Sequence, residues 1–149
     1  MHTLWNDSFS LPSFPRLEEN LRADVAVVGG GIAGILTAYA LHMQGIRVVL
    51  LEGGRLAAGV TAHTTAKISA QHGLFCERLV HSFGRYLAQQ YLHANLQAVR
   101  QYRALVREKR IDCDFSDEAS YVYAAPDGPR LERELECAQL LGAPVRLAR

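Results

Sequence analysis

The chain is expected to be an α/β protein built on a β-α-β unit with parallel strands, and three observations within residues 24 to 52 carry that expectation. Val25, Ala26, Val27 and Val28 form a short apolar run, as a strand buried on both faces should. Ile32, Ile35, Leu36, Tyr39, Ala40 and Met43 recur at helical spacing, and Gly45 ends that helix. Val48 to Leu51 give a second apolar strand, which stops at Glu52. Between the first strand and the helix, Gly29, Gly31 and Gly34 make G-x-G-x-x-G. That string alone is weak. Here it joins a strand to a helix, and an acid closes the second strand eighteen positions after Gly34, near the spacing of roughly 20 found in dinucleotide-binding units. The expected architecture is therefore Rossmann-like.

Each residue of the motif has a physical reason. Gly29 permits the tight turn out of the strand. Gly31 has no Cβ, so a pyrophosphate can approach the backbone, and Gly34 lets the helix pack closely on the sheet. The free N–H groups and the positive dipole end of a helix starting near Gly31 would face the phosphates, with Gly30, Ile32 and Ala33 completing the turn. Glu52 would accept hydrogen bonds from the ribose hydroxyls of an adenosine. Its charge would repel a 2′-phosphate, which disfavours NADP. The competing reading is a glycine-rich β–α turn without a ligand, and the flanking strands and acid argue against it.

The rest of the chain is less regular. Residues 1–22 read as an extended lead-in broken by Pro12 and Pro15. Residues 53–75 are rich in Gly, Ala and Thr and read as a loop or ligand-facing connection, with a short strand at Lys67 to Gln71. From Gly84 to Arg110 the pattern is helical, with Leu87, Tyr91, Asn95, Ala98, Val99, Tyr102, Leu105 and Val106 on one face. Asp112 to Phe115 and Ser120 to Ala124 read as strands, and Pro126, Asp127 and Gly128 as a turn. Arg130 to Leu141 reads as a helix closed by Gly142, and Val145 to Leu147 as the start of a strand. A doubly wound fold needs several parallel strands and only two are evident, so the expectation is a truncated or split protein.

Composition narrows the function classes. With 149 residues the chain is long enough for one domain with a real core. It is 49% hydrophobic and 21% charged, and its net charge of +1 gives no global field toward nucleic acid or an anionic membrane. Cys76, Cys113 and Cys137 form no C-x-x-C pair, which suits a reducing cytoplasm. No secretory leader is expected, because the first twenty residues hold Trp5, Asp7, Pro12, Pro15 and two glutamates. The longest apolar stretch, Val25 to Leu41, carries four glycines at a strand-to-helix turn, so no membrane span is expected.

The string DVAVVGGGIAG…G…VVLLE, followed by GVTAHTTAKISAQHG, resembles the amino-terminal part of FAD-dependent oxidoreductases of the D-amino-acid oxidase type. The nearer resemblance is to the subgroup whose longer members end in a Rieske iron–sulfur domain. It rests on Leu4-Trp5 and Leu11 to Pro15, on Thr64, Thr65, Ala66, Lys67, Ser69, Gln71, His72 and Gly73, and on Ile111 to Phe115 with Tyr121 to Ala124. It covers nearly the whole chain. It implies an FAD-binding domain interleaved with a substrate domain, and a flavin that takes hydride from the C–N bond of an amine or amino acid. Residues 23–110 would be the FAD-binding, Rossmann-like region and residues 111–149 the beginning of the substrate domain. The resemblance also implies a second FAD segment and Rieske ligands (C-x-H…C-x-x-H), which do not occur before Arg149. Catalysis by this chain alone is not expected. The implied partners are FAD and a carboxyl-terminal half or a second copy of the chain.

The candidate cofactor-binding residues are thus Gly29, Gly30, Gly31, Ile32, Ala33, Gly34, Glu52, Gly53, Arg55, Thr61, Thr64, Thr65 and Lys67, with no catalytic residue assigned. Thr61, His63, Thr64, Thr65 and Lys67 would line the pyrophosphate and flavin side, and a lysine near flavin N1 would favour reduced, anionic flavin. The alternative for this stretch is a solvated Thr-rich loop. His63, His72, His81 and His93 are nine, nine and twelve residues apart, which matches no zinc spacing, so no metal is expected. Arg100, Arg103, Arg107, Lys109 and Arg110 read as cations at a helix carboxyl end and not as a nucleic-acid patch. Cys113, between Asp112 and Asp114, reads as structural. Two further hypotheses stand beside the enzyme piece: a stand-alone dinucleotide-binding or interaction module (a relic, or half of a split enzyme), and a nicotinamide-dependent Rossmann domain, against which the TTAK…QHG segment argues.

Overall fold

A computed structural model describes residues 11–123 and 128–148. Leu4-Trp5, Ala124 and the Pro126-Asp127 turn lie outside the described residues. The chain divides between Lys67 and Ile68 into two compact units.

The first unit holds strand β1 (Val25–Val28), helix α1 (Ile32–Met43) and strand β2 (Val48–Leu51). The strands pair in parallel, in register from Val25 with Val48 to Val28 with Leu51, and α1 packs on both as the crossover. Asp24 and Arg47 clamp the entry to the pair. Arg47 Nε and Nη2 donate to the two Asp24 carboxylate oxygens at 3.0 and 2.7 Å, and the Arg47 backbone N–H donates to Oδ2 at 3.1 Å. Gly45, at φ +76, closes α1, its N–H donating to the His42 carbonyl at 2.9 Å. Residues 11–22 run as coil into β1.

Full burial of β1 does not hold. Val25 and Val27 are half-buried, while Ala26 is exposed and Val28 is 84% exposed. Burial on both faces needs a layer on each side, and within the described residues of the first unit α1 is the one helix on this pair.

The second unit is a helix pair, α2 (Cys76–Lys109) and α3 (Gly128–Leu140). Helix α2 begins eight residues before the expected Gly84 start and breaks at Gly84, whose φ of 76° and ψ of 162° are not helical. The core lies between the two helices: Phe75, Cys76, Ala88, Leu92, Ala138 and Leu141 are buried together. The buried line on α2 therefore runs through Ala88 and Leu92, one position on from the expected Leu87 and Tyr91, which are 54% and 43% exposed. From Asn95 onward the expected face holds, with Asn95, Val99, Tyr102, Leu105 and Val106 half-buried.

The first turn of α2 is capped from far along the chain. Glu134 of α3 is buried, and its Oε1 accepts from the N–H groups of Phe75 and Cys76 at 2.7 and 2.6 Å while Oε2 accepts from Glu77 at 3.0 Å. A carboxylate on three free donors at the positive end of a helix is a strong, charge-assisted arrangement. Gly142, at φ +90, closes α3 as expected.

The expected strands at Lys67 to Gln71, Asp112 to Phe115, Ser120 to Tyr123 and Val145 to Leu147 are not strands. Their β-prone composition finds no neighbouring strand to pair with among the described residues, and a strand exists only through such pairing. Residues 111–123 are instead tied to α2 by Asp117, which accepts from Arg103 Nε at 2.9 Å and lies 3.6 Å from Arg107 Nη2. Among the described residues no helix is long and apolar enough to cross a membrane.

Candidate functional site: the glycine turn of the first unit

The glycine turn has the backbone that its sequence demands. Gly29 sits at φ +104, a conformation L side chains rarely adopt, and its N–H donates to the Leu51 carbonyl at 2.8 Å. A Cβ on Gly34 would run into the Gly29 carbonyl oxygen, so only glycine lets α1 sit this close to the strand. Gly31 is different. A Cβ there would meet nothing nearer than the Thr61 hydroxyl at 3.6 Å, and φ −78 with ψ 179 is ordinary extended backbone. The fold does not need glycine at 31. The space in front of it is what a bare Cα keeps clear.

Glu52 bridges the two sides of this turn. Its Oε2 accepts from the Gly30 N–H at 2.6 Å and its Oε1 accepts from the Gly54 N–H at 2.8 Å. These bonds, the one from Gly30 first, hold its carboxyl below the usual carboxylate range. Two further bonds bring the following loop onto the turn. The Ala57 N–H donates to the Gly30 carbonyl at 2.8 Å, and the Ile32 N–H donates to Thr61 Oγ1 at 3.0 Å. Leu56 lies over Gly30, and Gly30 is buried.

Gly29, Gly30, Gly31, Ile32, Gly34, Glu52 and Thr61 thus meet at one place, with Ala33 in the first turn of α1. The expectation that the N–H groups here stand free is corrected: Gly30 N–H is taken by Glu52 and Ile32 N–H by Thr61. The turn satisfies its own donors through side chains reaching across from residues 52 and 61. Gly53, Arg55, Thr65 and Lys67 are exposed in the connecting loop, and the Thr64 hydroxyl accepts from the Ala66 N–H at 2.9 Å. Residues 60–63 form a 3-10 turn that the sequence did not announce, with His63 Nδ1 2.8 Å from the Gly59 carbonyl. Leu56 and Ala57, the residues that fasten this loop, were not singled out from the sequence. A leucine and an alanine in a Gly/Ala stretch carry no chemical signal, and the backbone N–H of Ala57 carries none at all.

The remaining candidates sit in the second unit. His72 Nε2 is 3.3 Å from Asn95 Oδ1, and its ring packs on Phe75. Among the described residues no group of three His, Cys, Asp or Glu side chains is placed to hold a metal ion. Arg103 and Arg107 are engaged by Asp117, which removes two cations from the basic cluster at the end of α2.

The first unit is thus a parallel β-α-β crossover with its glycine turn at the joint between strand and helix. The model of the DAO family, FAD dependent oxidoreductase, matches residues 24–149. The chain belongs to this family of FAD-dependent oxidoreductases. Among its relatives, YhfW of Bacillus subtilis (strain 168), which carries the name of a Rieske 2Fe-2S iron–sulfur protein, is 41% identical over 142 residues, covering 94% of this chain and 28% of that protein. Gamma-glutamylputrescine oxidoreductase of Escherichia coli (strain K12) is 27% identical over 109 residues, covering 73% of this chain and 26% of the enzyme. The tRNA 5-methylaminomethyl-2-thiouridine biosynthesis bifunctional protein MnmC of Marinomonas sp. (strain MWYL1) is 38% identical over 98 residues, covering 61% of this chain and 14% of that protein. The chain spans about a quarter of the length of the first two. No solved structure gives a significant match.

Proposed function

We propose that this chain is the FAD-binding amino-terminal portion of a cytoplasmic flavin-dependent oxidoreductase that oxidises C–N bonds of amines or amino acids, and that alone it binds the ADP half of the cofactor without catalysing turnover. The observation that carries the reading is the pairing of an unfilled approach at Gly31 with the Glu52 carboxylate beside it. In this reading the pyrophosphate lies against Gly31 and the start of α1, where the dipole and backbone favour an anion. Glu52 keeps lone pairs beyond those given to Gly30 and Gly54, and these accept from the ribose hydroxyls. Thr61, Thr64, Thr65, Arg55 and Lys67 lie on the loop that continues from this edge and would extend the contacts along the cofactor. FAD, when bound, supplies the hydride acceptor; the residues described here bind and orient its adenylate end.

The substrate class is the finer part of the proposal; the relative from Escherichia coli, a gamma-glutamylputrescine oxidoreductase, supports it. The region from residue 111 onward is assigned in the same reading to the start of the substrate domain. The test is calorimetric titration of the whole chain with ADP. One saturable site supports the reading, and the absence of ADP binding contradicts it.

A further inference from the structure

Glu52 stands at the joint between two segments. One oxygen takes the Gly30 N–H of the glycine turn and the other takes the Gly54 N–H of the loop that follows β2. The same loop returns twice to the turn, through Ala57 N–H to the Gly30 carbonyl and through Thr61 Oγ1 to the Ile32 N–H. Both backbone polar groups of Gly30 are thereby consumed by protein, so Gly30 itself has nothing left for a phosphate. The turn and the loop form one strapped unit, and Glu52 is its first fastening.

We infer that Glu52 is a positioning residue for the phosphate end of the site as well as a ribose ligand: by fastening residues 52–61 to the glycine turn it holds Gly31 and the start of α1 in the shape that receives a pyrophosphate. This inference rests on the dinucleotide reading above, and it extends Glu52 beyond ribose to a group it does not itself touch.

The sign of one substitution separates this role from simple charge. A carboxylate near a pyrophosphate repels it, so removing the charge through Coulomb effects alone strengthens pyrophosphate binding. Glu52→Gln removes the charge but also leaves a single amide oxygen for two N–H donors, setting an NH2 group against one of them. The strap loosens, and pyrophosphate binding falls. Glu52→Asp keeps the charge but shortens the side chain by one methylene, so it too fails to span both donors.

The experiment titrates the whole chain with sodium pyrophosphate and, separately, with ADP, in the unchanged protein and in Glu52→Gln and Glu52→Asp. Amide spectra of the ligand-free proteins check the fold and report on Gly30, Ile32 and Gly54. The expected result is pyrophosphate affinity about tenfold lower in both variants, with shifted amides at those three positions. Pyrophosphate bound by Glu52→Gln as tightly as by the unchanged chain, or more tightly, overturns the inference; so does full affinity in Glu52→Asp. ADP weakened by Glu52→Gln with pyrophosphate untouched leaves the dinucleotide reading in place and reduces Glu52 to a ribose ligand. ADP binding without measurable pyrophosphate binding also overturns the positioning role. If neither ligand binds the unchanged chain, the dinucleotide reading falls together with this inference.

Discussion

A side chain at Gly34 would collide with the Gly29 carbonyl oxygen, whereas one at Gly31 would meet only the Thr61 hydroxyl at 3.6 Å. Gly34→Ala should therefore destabilise the first unit by about 1–3 kcal/mol, since backbone must move to admit the methyl group, and a urea melt would show the lower midpoint. Gly31→Val should leave circular dichroism near that of the unchanged chain yet abolish ADP binding by calorimetry. Full ADP affinity in that variant would remove the pyrophosphate from Gly31. The sequence made the packing role of Gly34 legible, because strand, turn and helix are local. It did not show that Glu52 and Thr61 occupy N–H groups of the turn, since those bonds close only when residues 22 and 29 positions apart meet. The cysteines allow a further check. Burial, and after it the Glu134 carboxylate, push the Cys76 thiol up to about 12, and burial raises Cys137 as well, while Cys113 is exposed. A disulfide-exchange reagent at neutral pH should modify Cys113 first and reach Cys76 only on unfolding. Rapid modification of Cys76 in the native chain would contradict the packed α2–α3 core.

At the scale of elements, the β1-α1-β2 unit follows the sequence closely, and so do both helices of the second unit except at the start of α2. Apolar runs bounded by Gly29 and Gly45 fix the former. The start of α2 depends on a carboxylate 58 positions from Cys76, which no local pattern announces. Glu134→Ala should strip three N–H groups of their acceptor, two of them on buried residues, and cost about 2–3 kcal/mol of stability in the second unit. Loss of helical signal at lower urea, with ADP binding retained by the first unit, would be the signature. Acid acts on the first unit by a different route. Asp24, hydrogen-bonded by Arg47, and Glu52, hydrogen-bonded by Gly30 and Gly54, both have depressed carboxyl pKa values. A depressed folded-state value contributes stability that is complete above the unfolded value and is lost as the pH falls through the folded one. The unfolding midpoint of the first unit should thus be flat at neutral pH and fall as the medium is acidified below about 4.5, the ordinary glutamate value. Both pairs are solvent-exposed, so the slope should be shallow and weaker still in salt. A slope unchanged in Glu52→Gln would remove that carboxylate from the titration.

For the molecule as a whole, the described residues of the first unit put one helix on the parallel pair, and Val28, Ile32 and Met43 remain 84%, 49% and 58% exposed. Apolar surface of this kind favours self-association or a covering partner. The chain belongs to the FAD-dependent oxidoreductase family and spans about a quarter of the length of the two relatives from Bacillus subtilis and Escherichia coli. The family was legible in the sequence through the fingerprint and the TTAK and IDCDF strings, while the segments around 111–123 suggested strands that need neighbours to exist. The central claim is that these residues hold the adenylate half of FAD and little of the isoalloxazine. The most direct measurement compares FAD with ADP on the same preparation, by calorimetry and by flavin retention through gel filtration with the elution mass recorded. The expected result is FAD and ADP affinities within a few-fold of each other, flavin lost on the column, and a mass above that of one chain. A yellow, monodisperse monomer carrying one firmly held FAD would contradict it, as would a chain that binds neither ligand.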